Sequence, residues 1–278
     1  MKALVLAETQ DGQRAYAAGA REIADEVALA VVKGEPLTGI ADVAYDIELP
    51  AGEPVENAIQ GVIAAYNAAQ PDVVIVEPTP RNKILAGLLA ASLDAAVISD
   101  VTAIDGDEVT NMYFGGLAAT KQKANGPKIY TVAATTFGDG EATGTDTVET
   151  IAYTAPAKPL VLRGTKEVPR EGADLTKVDI VVGAGRGFAE EADLQMARDL
   201  CAKIGGELGC SRNLYIGVSG LQLAPKAYIA LGISGQMQHM VGCNRAGALF
   251  AINKDKNAPI FKQCDYGLVG DIKTVLPA

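Results

Sequence analysis

The chain has 278 residues with 24 basic and 34 acidic side chains, which gives a net charge of −10 at neutral pH. A hydrophobic content of 49% and a charged content of 21% predict a globular protein of one large domain or two ordinary ones. Binding of nucleic acid through its phosphates needs a basic face, so the acidic balance argues against that partner. No apolar run approaches the roughly 18 residues of a membrane helix, so direct membrane insertion is not expected.

The first residues and the cysteines indicate a cytoplasmic protein. The apolar run that begins after Lys2 is too short for the core of a signal peptide. The cysteines form no C-x-x-C pair and lie beside apolar residues, which is typical of free thiols in a reducing compartment. Ligand spacing for a metal is also absent, so no metal site is expected. The four cysteines are Cys201, Cys210, Cys243 and Cys264.

Strand and helix patterns alternate over the first hundred residues. Residues 73–76 are a run of branched apolar residues that predicts a buried strand, and an apolar stripe through residues 55–69 predicts a helix. Such alternation is typical of βαβ units around a parallel sheet. The predicted strands are 3–7, 27–32, 43–49, 73–76 and 96–101, and the predicted helices are 13–24, 55–69 and 81–93.

From residue 108 onwards the pattern changes. Residues 109–114, 128–134 and 147–153 look extended, and no long helix separates them. Glycine-containing turns join these segments. We therefore expect the first domain to end in a partly antiparallel edge of its sheet.

A connector containing three prolines, at residues 155–174, separates two regions of strand and helix alternation. Beyond it the alternation restarts with a strand at 179–182 and a helix at 190–204. The sequence therefore predicts an α/β fold of two domains, residues 1–158 and residues 159–278.

The second domain places polar groups at the end of a buried strand. An apolar run over residues 227–231 ends in Gly232-Ile233-Ser234-Gly235, and Gln236, Gln238 and His239 follow. Ligands of open α/β sheets bind outside the carboxyl ends of the strands, and a helix N-terminus there suits phosphate. A lone histidine is more often structural, but its place beside a glycine-rich strand end favours a functional role.

Two further clusters carry arginines, and each also has a simpler interpretation. Arg186 lies in a glycine loop, residues 183–187, that either brings backbone N–H groups to an anion or is a tight turn with an exposed arginine. Ser211 and Arg212, taken alone, are better explained as surface residues.

The remaining clusters are a turn and two strand ends. Gly217-Val218-Ser219-Gly220 could place a hydroxyl and amides on a ligand, although a plain turn explains it as well. Asn253 and Asp265, each expected to follow a strand, are also common turn formers. Together the clusters suggest a long ligand with phosphate and an aromatic system, a dinucleotide. A single histidine with no spare base argues against a Ser-His hydrolase, and no catalytic residue is predicted.

At these residues the chain resembles the α subunit of electron transfer flavoproteins (ETF), and its second half resembles the short bacterial members of the FixB type. The resemblance covers nearly the whole chain and is most specific in the second domain. The segments that carry it are VVGAGRG, YIALGISGQMQHMVG and FAINKDKNAPIFKQCDYGLVGDIKTVLP in the second domain, and TPRNKILAGLLAASLDAAVISDVTAID and YFGGLA in the first.

The resemblance implies a Rossmann-like, nucleotide-hydrolase-like first domain and a parallel-sheet FAD-binding second domain. It also implies a heterodimer with an ETF β subunit. The complex would carry electrons from acyl-CoA dehydrogenase-type enzymes to an ETF-quinone oxidoreductase or a ferredoxin-linked acceptor, with bifurcation of electrons left open. Such a chain is an electron carrier rather than an enzyme with a substrate of its own.

The resemblance also assigns roles to residues. Arg212 would lie over the flavin ring, Ser219 near flavin N5, and Gln238 and His239 beside the flavin. The connection from Arg212 to the Ser219 turn is shorter than is usual in the family. The pyrophosphate and adenosine would be held by Arg186, Ser234, Asn253 and Asp265. The other residues predicted to contact the cofactor are Ser211, Val218, Gly220, Gly232, Gly235 and Gln236.

Two other functions remain open from the sequence. One is a flavin-free structural or regulatory relative that keeps the fold without a redox centre. The other is an NAD-linked enzyme on a related dinucleotide domain, for which the sequence offers no evident catalytic base.

Overall fold

The computed structural model of the chain describes residues 1–113, 118–138, 140–166, 173–210, 216–217, 221 and 223–277. The chain forms two compact units, Met1–Glu167 and Val168–Ala278. Each unit is an open β-sheet with helices, so the predicted α/β fold is confirmed.

Nine strands and three α-helices make up the part of the first unit that the structure describes. The strands are β1 (Lys2–Leu6), β2 (Glu26–Val31), β3 (Val43–Glu48), β4 (Val73–Val76), β5 (Val97–Asp105), β6 (Glu108–Tyr113), β7 (Ala118–Lys123), β8 (Lys128–Val132) and β9 (Val148–Ala152). The helices are α1 (Gln10–Arg21), α2 (Ile59–Ala69) and α3 (Pro80–Ser92). The strand order is β7-β6-β5-β8-β4-β1-β2-β3-β9.

The centre of this sheet is apolar on both faces. Leu4 and Leu6 of β1 pack into one core cluster, and Ala3 and Val5 pack into a second cluster on the other face. Each of these four side chains is almost completely buried. Parallel strands that are covered on both sides need such continuous apolar runs, which is why β1, β2 and β4 were predicted from sequence.

The antiparallel edge was predicted correctly in type, but two of the segments expected in it lie elsewhere. β9 runs parallel to β3 at the opposite edge of the sheet. β5, β6 and β7 do form an antiparallel extension of the sheet. β8, expected at this edge, instead lies between β4 and β5 and runs parallel to both. Ile129, Tyr130 and Val132 are fully buried, and a strand with apolar residues on both faces is more stable in the interior of a sheet.

Thr79 is the N-cap residue of helix α3, and replacing it tests how much this cap contributes to the stability of the first unit. Its hydroxyl oxygen accepts a hydrogen bond from the Asn82 amide at 3.2 Å and donates to the Glu8 carboxylate at 3.1 Å. We expect Thr79→Ala to lower the free energy of unfolding by about 1 kcal/mol, because an N-cap acceptor is lost. Urea unfolding followed by circular dichroism measures this. Ser92→Ala at the exposed end of the same helix is the control, and an equal loss in both variants would contradict the capping role.

Within the described residues of the second unit there are five parallel strands and three α-helices. The strands are β10 (Ile180–Ala184), β11 (Glu207–Cys210), β12 (Ala227–Leu231), β13 (Ala248–Asn253) and β14 (Tyr266–Val269). The helices are α4 (Leu194–Ile204), α5 (Met237–Met240) and α6 (Ile272–Val275). The strand order is β11-β10-β12-β13-β14, so the chain moves to opposite sides after β10 and after β11. The carboxyl ends of β10 and β12 therefore form a topological switch point, where ligands bind in such sheets.

One local expectation about this unit is wrong. No strand directly precedes Asp265 within the described residues; a 3-10 turn at Pro259–Lys262 takes its place, and β14 begins after Asp265. The helix expected after Gly235 is present as the single turn α5, whose dipole is much weaker than that of a long helix. None of the helices in the described ranges is both long and apolar enough to cross a membrane.

Candidate functional site

A crevice of about 520 Å³ opens at the carboxyl ends of three neighbouring strands of the second unit. Its volume lies within the range of roughly 300 to 1,000 Å³ that is usual for small-molecule sites. After β10 it is lined by Gly185, Arg186, Gly187 and Ala189; after β12 by Gly232, Ile233, Ser234, Gln236 and His239; and after β13 by Asn253 and Lys254.

Glycines bring the loops after β10 and β12 into direct backbone contact. The Gly185 amide donates to the Leu231 carbonyl at 2.8 Å, and the Gly187 amide donates to the Gly232 carbonyl at 3.1 Å. A Cβ atom on Gly185 would lie 2.4 Å from the Gly232 carbonyl oxygen, and one on Gly187 would lie 2.7 Å from Gly232 Cα. Only glycine lets the two loop backbones lie this close together. Because glycine has no side chain, a ligand also has room to reach the backbone N–H groups.

The charge of the crevice is positive. Arg186 and Lys254 are its two charged lining residues, both exposed, and neither is in an ion pair with a described residue. None of the described lining residues is acidic, although the whole chain carries a net charge of −10. Uncompensated cations at a glycine-rich strand end favour an anionic ligand.

Asn253 holds the rim between β12 and β13. It is 9% exposed, and its amide group donates to the Ile233 carbonyl at 2.8 Å. Its side-chain oxygen accepts from the Asp255 amide at 2.9 Å. Both ends of the side chain are therefore used to fix the loops on either side of the crevice.

His239 lies at the inner wall of the crevice and is 8% exposed. Its Nε2 atom is 3.0 Å from the hydroxyl oxygen of Tyr228, which is fully buried on β12. Burial lowers the pKa of the His239 imidazole, and the backbone of Ile216 partly opposes the shift. Burial also holds the pKa of Tyr228 well above its ordinary value. Both rings are therefore neutral at neutral pH.

Nine of the fourteen predicted residues fall within the described ranges. The structure brings six of them together in the crevice: Arg186, Gly232, Ser234, Gln236, His239 and Asn253. Gly235 and Gln238 lie close by in sequence but do not line it; Gly235 instead packs on the backbone of Ile260. The other five predicted residues, which lie outside the described residues, are Ser211, Arg212, Val218, Ser219 and Gly220.

Asp265 is not brought to the crevice. It precedes β14, and its carboxylate accepts from the Leu249 amide at 2.8 Å near the amino end of β13. Asp271 stands at the opposite, carboxyl end of β14, where the Gly270 amide donates to the Asn253 carbonyl at 3.1 Å. The acidic residue at the carboxyl end of β14 is therefore Asp271, because β14 begins several residues later than the sequence predicted.

Lys254, which lines the crevice, and Tyr228, which contacts His239, were not among the predicted contact residues. Lys254 directly follows the predicted residue Asn253, so its nearness to a strand end was the signal that could have found it. Tyr228 has no such signal, because a tyrosine inside a strand is ordinary core composition.

Comparison with known proteins gives one consistent result. Residues 174–244 match the electron transfer flavoprotein FAD-binding domain, and residues 40–157 match the electron transfer flavoprotein domain. The chain is 41% identical over 244 residues to the putative electron transfer flavoprotein subunit YdiR of Escherichia coli K12. The alignment covers 80% of this chain and 77% of YdiR. It is 38% identical over 268 residues to protein FixB of Escherichia coli O81, and that alignment covers 86% of each chain.

The fold and the crevice define a two-unit α/β protein whose second unit is a dinucleotide-binding domain. The chain belongs to the electron transfer flavoprotein family, as an α-type subunit whose residues 174–244 lie in the FAD-binding domain. The predicted family, electron-transfer role and FAD cofactor are confirmed. An α-type subunit of this family forms a heterodimer with a β subunit.

Proposed function

We propose that the crevice at the ends of β10, β12 and β13 is where the chain holds its FAD, with the pyrophosphate near Arg186 and Lys254. The observation that supports this most is the charge: two cations and no described carboxylate line a glycine-rich edge of an acidic protein. Charge-assisted hydrogen bonds from such cations to phosphate are about twice as strong as neutral ones.

The other described residues of the crevice fit the same cofactor. Gly185, Gly187 and Gly232 keep the floor free of side chains, which lets a pyrophosphate approach the backbone. Ser234 and Gln236 offer a hydroxyl and an amide beside it. We propose that Asp271 rather than Asp265 accepts hydrogen bonds from sugar hydroxyls, because it stands at the crevice end of β14.

Residues assigned by resemblance alone complete the proposal at the flavin end. Arg212 and Ser219 are proposed over the flavin ring and near N5, and Gln238 and His239 beside the ring. Further proposed contacts are Ser211, Val218, Gly220 and Gly235.

When bound, FAD supplies the capacity to take up and release electrons singly, which no protein side chain here offers. We propose that the heterodimer carries electrons from an acyl-CoA dehydrogenase-type enzyme to a quinone oxidoreductase or a ferredoxin-linked acceptor. We also propose a cytoplasmic location, supported by the buried free thiols of Cys201 and Cys243.

The test is to coexpress the chain with its β subunit, purify the complex and measure its absorbance spectrum. We expect a yellow complex that releases FAD on denaturation. A colourless complex with no released flavin would contradict the proposal and favour a flavin-free structural or regulatory relative. Turnover of NAD(H) by the chain alone would instead favour a dehydrogenase.

The charge of the crevice predicts a specific loss of affinity. Replacing Arg186 and Lys254 together with glutamine is expected to weaken FAD binding by at least about tenfold, because each charged hydrogen bond is worth roughly 1.5 to 3 kcal/mol. Fluorescence titration of the flavin-stripped complex with FAD measures the dissociation constant. Lys226→Gln is the matched control, since Lys226 pairs with Asp179 at the opposite, amino end of β12. Equal dissociation constants for the wild type, the double variant and Lys226→Gln would show that Arg186 and Lys254 do not contribute to FAD binding.

A further inference from the structure

Tyr228 and His239 form a buried polar pair beneath the crevice. Tyr228 is 0% exposed and His239 is 8% exposed, and 3.0 Å separates the tyrosine oxygen from His239 Nε2. A buried hydroxyl and a buried imidazole are costly unless they satisfy each other, so this contact is a built feature of the fold rather than a chance approach.

Two neutral rings allow this hydrogen bond to run in either direction, depending on the tautomer of His239. Tyr228 keeps its proton, because burial raises its pKa well above the ordinary value. His239 is neutral, because burial lowers its pKa, so one of its nitrogens is a free acceptor. If the Tyr228 hydroxyl donates to Nε2, the imidazole proton lies on Nδ1; the reverse direction would leave the buried hydroxyl proton in need of a second acceptor. Nδ1 is itself buried, and among the described residues it has no partner at hydrogen-bonding geometry.

The neighbouring strand makes room for this contact. A Cβ atom on Gly183 of β10 would lie 2.1 Å from the Tyr228 hydroxyl oxygen and 2.7 Å from its Cζ atom. Any side chain at position 183 would therefore push the hydroxyl away from His239. The backbone of His239 is anchored as well, because its amide donates to the Gln236 carbonyl at 2.9 Å.

We propose that Tyr228 is a positioning residue of the FAD site, which holds His239 in one orientation as the neutral tautomer protonated on Nδ1. The proposal rests on the proposed function, since it concerns the side of His239 that borders the cofactor crevice. A neutral ring of fixed tautomer presents a dipole of fixed direction to the flavin. Without the hydroxyl, the ring loses the interaction that selects this tautomer, and the field at the flavin changes.

The experiment uses the αβ complex with histidines labelled with ¹⁵N and two-bond ¹H–¹⁵N correlation spectra at neutral pH. His239 is the only histidine of this chain, so its signals are those that disappear in His239→Asn. In the wild type we expect Nε2 without a proton and Nδ1 protonated. In Tyr228→Phe the ratio of this tautomer to the other should fall by about five- to tenfold, the effect of one lost hydrogen bond.

The second measurement is the reduction potential of the bound flavin, taken on the same samples. Tyr228→Phe should shift the potential, whereas Tyr130→Phe should not. Tyr130 is a matched control because it is also buried, and its hydroxyl has no hydrogen-bond partner among the described residues.

Each outcome decides the proposal. A wild-type His239 protonated on Nε2, or on both nitrogens, overturns it without any variant. A Tyr228→Phe protein with the wild-type tautomer ratio, or with the wild-type potential, overturns it as well. Absence of flavin from the wild-type complex overturns the proposed function instead, and the tautomer spectrum of that sample still reports on the pair itself.

Discussion

Replacing Gly185 with alanine is expected to remove most of the FAD from the purified complex. A Cβ atom at this position would lie 2.4 Å from the Gly232 carbonyl oxygen, 2.6 Å from the Ile233 side chain and 2.7 Å from the Gly232 carbonyl carbon. Two of these contacts are with backbone, which cannot rotate away as a side chain can. The loops after β10 and β12 must therefore move apart, and the hydrogen bond from the Gly185 amide to Leu231 is strained or lost.

The expected size of the effect follows from where the loops lie. Overpacking of this kind costs about 1 to 3 kcal/mol. Because the cost falls on the floor of the crevice, we expect FAD affinity to drop by about tenfold or more. The ratio of flavin to protein absorbance after gel filtration measures it.

The control for this substitution is Gly87→Ala. Gly87 lies within α3 and has nothing within 4 Å of the position its Cβ would take. Alanine is favoured over glycine in a helix by about 1 kcal/mol, so this variant should be at least as stable as the wild type and keep its flavin. Full flavin content in Gly185→Ala would mean that the two loops do not form the floor of the cofactor site.

Much of the fold was predictable because local pattern and tertiary position agree. β1, β4 and β12 are short apolar runs, and each lies in the interior of a parallel sheet. β8 shows where the pattern stops being sufficient. Its apolar residues predicted a strand, but its insertion between β4 and β5 depends on pairing with segments 30 or more residues away in sequence. Periodicity carries no information about that partner choice.

The site shows the same division. Gly232, Ser234 and His239 were predicted because a glycine-rich strand end is visible in sequence, and the structure brings them into one crevice. Asp265 was predicted from a strand expected directly before it, whereas β14 begins after Asp265 and leaves Asp271 at its carboxyl end. Strand boundaries inferred from sequence are uncertain by a few residues, and an error of that size is enough to exchange the two ends of a short strand. The contact of Tyr228 with His239 was not predictable, because it requires a residue without a side chain, Gly183, on the neighbouring strand β10.

Leu231→Ala is expected to destabilise the second unit and to weaken flavin retention with it. Leu231 is the last residue of β12, is 0% exposed, and packs with Val182, Ala197, Cys201 and Ile272. Truncation of a fully buried leucine costs about 2 to 5 kcal/mol through lost transfer energy and the cavity that remains. The backbone carbonyl of Leu231 also accepts the hydrogen bond from Gly185, so relaxation around the cavity reaches the floor of the crevice.

Added cofactor separates this effect from a general loss of stability. A ligand that binds only the folded form raises stability by RT ln(1 + [L]/Kd), about 2.7 kcal/mol at a hundredfold excess over the dissociation constant. We therefore expect excess FAD to raise the thermal midpoint of Leu231→Ala by several degrees. Leu4→Ala makes the same truncation at a residue that is 0% exposed in the first sheet, and the flavin content of this variant should equal that of the wild type. Equal losses of flavin in the two variants would contradict a cofactor site built on the second sheet alone.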